Sequence, residues 1–93
     1  MTYEEAIEIC KNSKRLTEQQ SKKINRLANN LIYGKRCTDE DKVRGVRLYL
    51  AAAEANDAHA EYNLGYYYGN GMKRDYARSI EWYMRAAKHG NAW

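Results

Sequence analysis

The sequence predicts an all-α protein, a short α-solenoid of about five antiparallel helices. Apolar residues recur at helical spacing, for example at Ile24, Leu27, Ala28 and Leu31. The 93 residues contain no proline, and they are too few for two cores or for a large cofactor-binding domain. Similar segments also recur along the chain at a fixed spacing, a period that is typical of stacked helix pairs.

Start and stop signals set the bounds of the helices. The expected N-caps are polar residues that can accept hydrogen bonds from free backbone N–H groups: Thr2, Thr17, Thr38 or Asp39, Asn56 or Asp57, and Asp75. Thr2 and Thr17 are followed three residues later by Glu5 and Gln20, which predicts two capping boxes. The expected stops are glycines in a left-handed conformation: Gly34, Gly69 with Gly71, and Gly90. These signals predict helices at about residues 2–12, 17–33, 39–54, 57–68 and 75–89, with antiparallel neighbours.

The internal repeat becomes visible when the chain is aligned with itself at a shift of 34 residues. Residues 48–53 then lie over residues 82–87, and both segments end in two alanines. Residues 2–8 align in turn with residues 75–81, so the first helix corresponds to the second helix of a repeat. The single domain therefore divides into an N-terminal helix (1–16), a degenerate repeat (17–56) and a well-preserved repeat (57–92).

The well-preserved repeat carries a family pattern. Its matching positions are Ala60, Leu64, Gly65, Tyr68, Gly69, Gly71, Asp75, Trp82, Tyr83, Ala86, Ala87 and Gly90. In type and order they resemble the Sel-like repeat, a relative of the tetratricopeptide repeat. The resemblance is strong over residues 57–92 and weak over 24–56, where Leu31 and Ile32 replace the Leu-Gly pair. It implies an α-solenoid that acts as a non-catalytic scaffold for partner proteins.

Gly65 is predicted to mark a close contact between two helices. A glycine inside a helix costs about 1 kcal/mol relative to alanine, so we expect a backbone or an aromatic ring to pack against it. Tyr68, Trp82 and Tyr83 are expected to fill the space between the layers.

No group of residues points to catalysis, a cofactor or a metal site. His59 and His89 have no ligand-type residue at a metal-binding spacing, and Cys10 and Cys37 form no Cys-x-x-Cys motif. We therefore expect a protein that is not an enzyme and has no cofactor. No apolar run is long enough to span a membrane and no signal peptide begins at Met1, which predicts a cytoplasmic protein.

The helix at 57–68 has more tyrosines than its buried side requires. At about 100° per residue, that side holds Ala60, Leu64, Gly65 and Tyr68. The remaining polar and aromatic positions predict a partner-binding set on the inner, concave side: Asn63, Tyr66, Tyr67 and Asn70. The alternative is that these tyrosines cover the core of a protein with few repeats.

Positive charge is concentrated in the first half of the chain. The net charge is +4, from 16 Lys and Arg against 12 Asp and Glu. The basic patch consists of Lys22, Lys23, Arg26, Lys35 and Arg36. It favours an alternative function, nucleic-acid binding along the basic stripe from Lys11 to Arg36, which ranks below binding of a protein partner. The structural alternative is a solvated helix face.

The end of the second repeat is expected to be open. A solenoid unit exposes an apolar face unless another element covers it, and two repeats are fewer than the roughly three that are usually needed. The last predicted helix carries an apolar stripe: Tyr76, Ile80, Tyr83, Met84 and Ala87. We expect the missing burial to come from the N-terminal helix, from Trp93 folding back, or from self-association as a homodimer.

Overall fold

The computed structural model describes residues 1–70 and 74–90, and these residues form five helices without a strand. The helices are α1 (Tyr3–Lys11), α2 (Glu18–Tyr33), α3 (Asp39–Glu54), α4 (Ala58–Asn70) and α5 (Tyr76–Lys88). The predicted all-α fold and the five predicted helices are confirmed, with bounds within two residues of those expected. In the part of the chain that is described, none of the helices has the length and apolar character needed to cross a membrane.

The N-terminus of each helix is stabilised by a polar cap or a capping box. Both predicted boxes are present: the hydroxyl of Thr2 accepts from the Glu5 N–H at 3.1 Å, and Thr17 does the same for Gln20. Thr38, rather than Asp39, caps α3 and forms a third box that the sequence analysis missed. The remaining caps are carboxylates: Asp57 accepts from Ala60 N–H at 3.1 Å, and Asp75 accepts from Arg78 N–H at 3.2 Å.

The helix stops differ from the expected glycines at two positions. Gly34 follows α2 in an extended conformation (φ −64°, ψ 156°) instead of a left-handed one. A Cβ there would lie 2.5 Å from the carbonyl oxygen of Asn30, so this glycine provides space. Gly69 does not end a helix, because α4 continues to Asn70. Gly90 has the expected positive φ of 90°, and Gly71 lies outside the described residues.

The helices pack as two antiparallel pairs with α1 against the first. Within the first pair, Gly45 of α3 lies against the end of α2 and the Tyr49 ring lies nearer the start of α2. Within the second, Ser79 of α5 donates to the carbonyl of Gly65 in α4 at 2.7 Å. The α3 and α4 helices join the pairs, and α1 packs on α3. The largest fully buried side chains belong to one core cluster with members in both pairs: Tyr49, Ile24, Leu48 and Leu64.

Gly65 marks a close contact, as the sequence predicted. A Cβ on Gly65 would lie 2.7 Å from Cδ1 of the Tyr83 ring. Ordinary contact distances between carbon atoms are about 3.5–4.0 Å. The ring of Tyr83 therefore occupies the space that a side chain on α4 would need. Tyr68 and Trp82 pack half-buried against the core, which agrees with their expected role between the layers.

Candidate functional site

A polar cluster at the junction of the two repeats fixes one member of the predicted partner-binding set. The side-chain amide of Asn63 donates to Oδ1 of Asn25 at 3.0 Å, and Asn25 donates to Oδ2 of Asp57 at 2.8 Å. Asp57 is buried and also caps α4. Asn63 is therefore committed to a hydrogen bond between α2 and α4, and its half-buried amide connects the two repeats.

Tyr66 and Asn70 are the exposed members of the set. The Tyr66 side chain is 47% exposed, and the amide of Asn70 donates to the Tyr66 carbonyl at 3.1 Å. Tyr67, in contrast, is half-buried and packs against the core from the α3 side of α4. The structure thus separates the predicted set into one structural amide, one half-buried ring and an exposed pair.

Tyr33 joins Tyr66 on this surface, although the sequence analysis did not select it. Tyr33 is the last residue of α2 and is 50% exposed, and its ring meets that of Tyr66 edge to face at 6.4 Å between centroids. Tyr62 and Tyr83 continue the surface, with their centroids 5.4 Å apart. We define the tyrosine face as Tyr33, Tyr62, Tyr66 and Tyr83. The repeat itself could have identified Tyr33, because α2 and α4 are the first helices of successive repeats and therefore lie side by side.

Two phenols of the tyrosine face, those of Tyr33 and Tyr83, have a raised pKa and remain protonated at neutral pH. Burial raises the pKa of Tyr33, and the neighbouring phenols of Tyr66, Tyr67 and Tyr83 raise it further. Burial likewise raises the pKa of Tyr83, with additional contributions from Tyr62 and Tyr66. A neutral phenol both donates and accepts hydrogen bonds and has a large apolar ring. This chemistry suits the recognition of a protein surface rather than acid–base catalysis.

A second surface lies between α3 and α4, on the other side of Tyr67. We define the basic groove by its lining residues: Lys42, Val43, Val46, Arg47, Tyr67 and Tyr68. It is an open depression of about 260 Å³. The Arg78 guanidinium lies over the Tyr68 ring at 5.6 Å and adds a cation beside the groove.

The five residues of the predicted basic patch are all exposed, but they are spread along the molecule. Lys22, Lys23 and Arg26 lie in the first half of α2, whereas Lys35 and Arg36 follow its C-terminus. Lys22 forms a weak exposed ion pair with Glu18 at 3.6 Å. Nucleic-acid binding through these residues stays a prediction.

Two side chains of types that can serve catalysis, His89 and Cys10, are paired or buried within the fold. Nδ1 of His89, just after α5, lies 2.6 Å from a carboxylate oxygen of Glu61, which is buried in α4. Cys10 is buried in α1, and burial raises the pKa of its thiol to about 11, with the Asp57 carboxylate adding to the shift. Within residues 1–70 and 74–90, His, Cys, Asp and Glu side chains form no cluster of three that could hold a metal ion.

In the part of the chain that the structure describes, most of the apolar stripe of α5 is exposed. Tyr76, Ile80 and Met84 are 59%, 58% and 65% exposed. In the first repeat, the positions equivalent to Ile80 and Met84 are Val46 and Leu50 of α3, which pack half-buried against the core. Because α4 packs on α3 and no described helix follows α5, only the first repeat is covered on this side. Trp93 lies outside the described residues, and the homodimer stays a prediction.

Two stacked pairs of antiparallel helices with a repeated packing pattern define a helical-repeat protein of the α-solenoid class. The sequence profile of the Sel1 repeat matches residues 24–57 and 58–91. The chain therefore belongs to the Sel1 repeat family, and Sel1 repeats generally mediate protein–protein interactions.

Curated relatives contain the same kind of sequence within much longer chains. The chain is 41% identical over 59 residues to the ERAD-associated E3 ubiquitin-protein ligase component HRD3A of Arabidopsis thaliana. It is equally similar, over the same length, to the component HRD3B of that plant. These matches cover 60% of this chain but only 9% of HRD3A and 10% of HRD3B. No solved structure gives a significant match.

Proposed function

We propose that this protein is a non-catalytic interaction module, a small adaptor or modulator that binds a partner protein through its tyrosine face. The observation that carries the proposal is the pair of half-exposed rings of Tyr33 and Tyr66, which come from successive repeats and meet edge to face. Tyrosines bury a large area for little loss of side-chain entropy, so they are enriched among residues that anchor interfaces. A partner seated here would contact both repeats at once.

The family and the relatives support this proposal. Sel1 repeats act as interaction modules, and the two Arabidopsis proteins are named as components of a ubiquitin-ligase assembly. A small protein with such a face can join two partners, or it can inhibit one by occupying its surface. Both modes use the same contact.

The experiment compares partner capture by single variants. The tagged parent protein and the variants Tyr33→Ala, Tyr66→Ala and Tyr76→Ala are used as baits in an extract of the native host. Tyr76 is the matched control, because it is 59% exposed on α5 and lies outside the tyrosine face. We expect Tyr33→Ala and Tyr66→Ala to reduce recovery of the same partner at least tenfold, as for an interface anchor worth about 1.4 kcal/mol or more.

Circular dichroism of each variant accompanies the capture experiment, because loss of a folded bait would also reduce recovery. If all three variants remain helical and recover as much partner as the parent protein does, binding through the tyrosine face is refuted. Recovery that falls only with Tyr76→Ala would place the interface on the open end instead.

Nucleic-acid binding is the second candidate function, and the exposure of all five residues of the basic patch favours it. Its test is binding of a labelled oligonucleotide in increasing salt. Phosphate contacts would weaken the affinity steeply with salt concentration. Replacing Lys22, Lys23 and Arg26 with glutamine would then reduce both the affinity and the slope, and an unchanged slope would refute the role of these residues.

A further inference from the structure

The basic groove has an unusual combination of walls. Val43 and Val46 of α3 provide an apolar floor, and the rings of Tyr67 and Tyr68 meet edge to face at 5.3 Å on the α4 side. Val43 is 49% exposed, whereas Val46 beside it on α3 packs half-buried against the core. An isolated exposed valine is ordinary, but one that lies in a depression between two helices is available to a ligand.

The polar groups of the basic groove are cations and phenols. Lys42 and Arg47 contribute an ammonium and a guanidinium group, and Tyr67 and Tyr68 contribute hydroxyls. Among the residues that the structure describes, neither hydroxyl has a hydrogen-bond partner in the protein. The described residues that line the groove include no carboxylate. All four groups can donate hydrogen bonds, so the groove is suited to an acceptor that carries negative charge.

Over residues 1–70 and 74–90, the two cations of the groove also differ from their neighbours because they form no ion pair. Arg44 is paired with Asp41 and Arg78 with Asp75, each at 3.5 Å. For Lys42 and Arg47, no carboxylate within the described part of the chain comes within 4.0 Å. An incoming carboxylate would therefore not have to displace an existing partner, and the apolar floor would exclude water from the new ion pair.

The arrangement on α3 places the charges at opposite ends of the apolar floor. Lys42 and Val46 are four residues apart and lie on one line along the helix, and Val43 and Arg47 lie on the adjacent line. Lys42 and Arg47 are thus separated by about 7.5 Å along the axis, at 1.5 Å per residue. Acidic residues that flank two apolar ones are three positions apart, about 10 Å in an extended chain, and the long side chains of Lys42 and Arg47 can span this distance. The groove therefore matches a short segment with acidic residues on both sides of an apolar contact.

We propose that the basic groove binds an acidic, apolar segment of a partner protein, with carboxylates at Lys42 and Arg47 and a large apolar side chain over Val43 and Val46. This proposal rests on the proposed function and names the chemistry of the partner. The apolar floor favours a peptide over the phosphate backbone of a nucleic acid, because phosphates gain nothing from contact with valine. Tyr66 does not line the basic groove, so substitutions can test the groove and the tyrosine face separately.

The test uses fluorescence anisotropy of the full chain with three labelled peptides of nine residues. In the first peptide, aspartate and glutamate flank a central pair of leucines. In the second, lysines replace the acids, and in the third, serines replace the leucines. We expect the first peptide to bind with a dissociation constant of about 10–100 μM, and each of the others to bind at least tenfold more weakly.

Two double variants with the same net charge separate the groove from the overall charge of the protein. Lys42→Glu with Arg47→Glu removes the groove cations, and Lys22→Glu with Arg26→Glu makes the same change on the exposed side of α2. Each double variant lowers the net charge from +4 to 0, since each reversal removes two charges. We expect at least tenfold weaker binding of the first peptide to the groove variant and less than threefold weaker binding to the α2 variant. Val43→Ser should weaken binding about fivefold.

Four outcomes would overturn the proposal. The first is that the first peptide does not bind at 1 mM, and the second is that the two double variants lose affinity for it equally. The third is that a 12-nucleotide strand binds at the groove more tightly than the first peptide. The fourth is that the protein forms a dimer which the groove variant dissociates. The last two would identify nucleic acid or a second copy as the occupant. If Tyr66→Ala abolishes partner capture while the groove variants capture normally and bind no acidic peptide, the proposed function stands and the groove proposal alone fails.

Discussion

The substitution Gly45→Ala tests whether the first helix pair depends on the absence of a side chain on α3. Gly45 is buried, and an added Cβ would lie 2.5 Å from Cγ1 of Ile32 and 2.8 Å from the carbonyl oxygen of Ala28. Ile32 could change its rotamer, but the Ala28 oxygen belongs to the backbone of α2. To restore an ordinary contact of about 3.5 Å, the two helices must therefore separate locally by roughly 1 Å.

The expected loss of stability follows from two opposing contributions. Alanine is favoured over glycine inside a helix by about 1 kcal/mol. Overpacking of a core costs about 1–3 kcal/mol, and the backbone contact at Gly45 places the cost in the upper part of that range. The free energy of unfolding should therefore fall by about 1–2 kcal/mol, which lowers the melting temperature by about 4–16 °C for a domain of this size.

Thermal unfolding followed by circular dichroism at 222 nm measures the effect. The control is an exposed position of α2, where Asn29→Ala and Asn29→Gly report the helix preference alone and should differ by about 1 kcal/mol in favour of alanine. If Gly45→Ala is as stable as the parent while the Asn29 pair differs as expected, the close approach of α2 and α3 does not limit stability and the reasoning is wrong.

Three further predictions use the second pair and the thiols. Gly65→Leu should lower the melting temperature more than Gly45→Ala does, because a whole side chain must displace a tyrosine ring 2.7 Å away, and an unmoved transition contradicts this. His89→Ala should cost about 1–3 kcal/mol in urea unfolding by leaving the buried carboxylate of Glu61 without this partner, and adding Glu61→Gln should recover part of the loss. Iodoacetamide at pH 8 should label half-buried Cys37 well before Cys10, since the Cys10 thiol, with a pKa of about 11, is only about 0.1% ionised at that pH. Labelling of both cysteines at equal rates, measured by peptide mass spectrometry, would show that α1 opens readily.

The comparison of the two repeats shows how a degenerate sequence keeps its fold. In the second repeat, the small residue of the close contact is Gly65, on the first helix of the pair. The first repeat has no glycine there, because Leu31 and Ile32 replace the Leu-Gly pair, which the sequence identified as a departure from the family pattern. The structure shows the compensation: Gly45, on the second helix, approaches Leu31 and Ile32. In each pair a glycine therefore lies at the close contact, on the first helix of the second pair and on the second helix of the first pair.

The candidate surfaces were only partly predictable. Helical periodicity correctly placed Tyr66 on an exposed side, but it also placed Asn63 and Tyr67 there. Asn63 turned out to be bonded to Asn25, and Tyr67 faces α3. Periodicity gives the direction of a side chain from its own helix axis, and it contains no information on which neighbouring helix covers that direction.

The sequence by itself determined the five helices, their principal caps, the repeat and the family. These features depend on residues a few positions apart or on a pattern that recurs along the chain. Only the tertiary structure decided that Tyr33 meets Tyr66, that His89 approaches Glu61 and that a basic groove opens beside α4. Each of these depends on the distance between side chains on different helices, which is set by how closely the pairs pack.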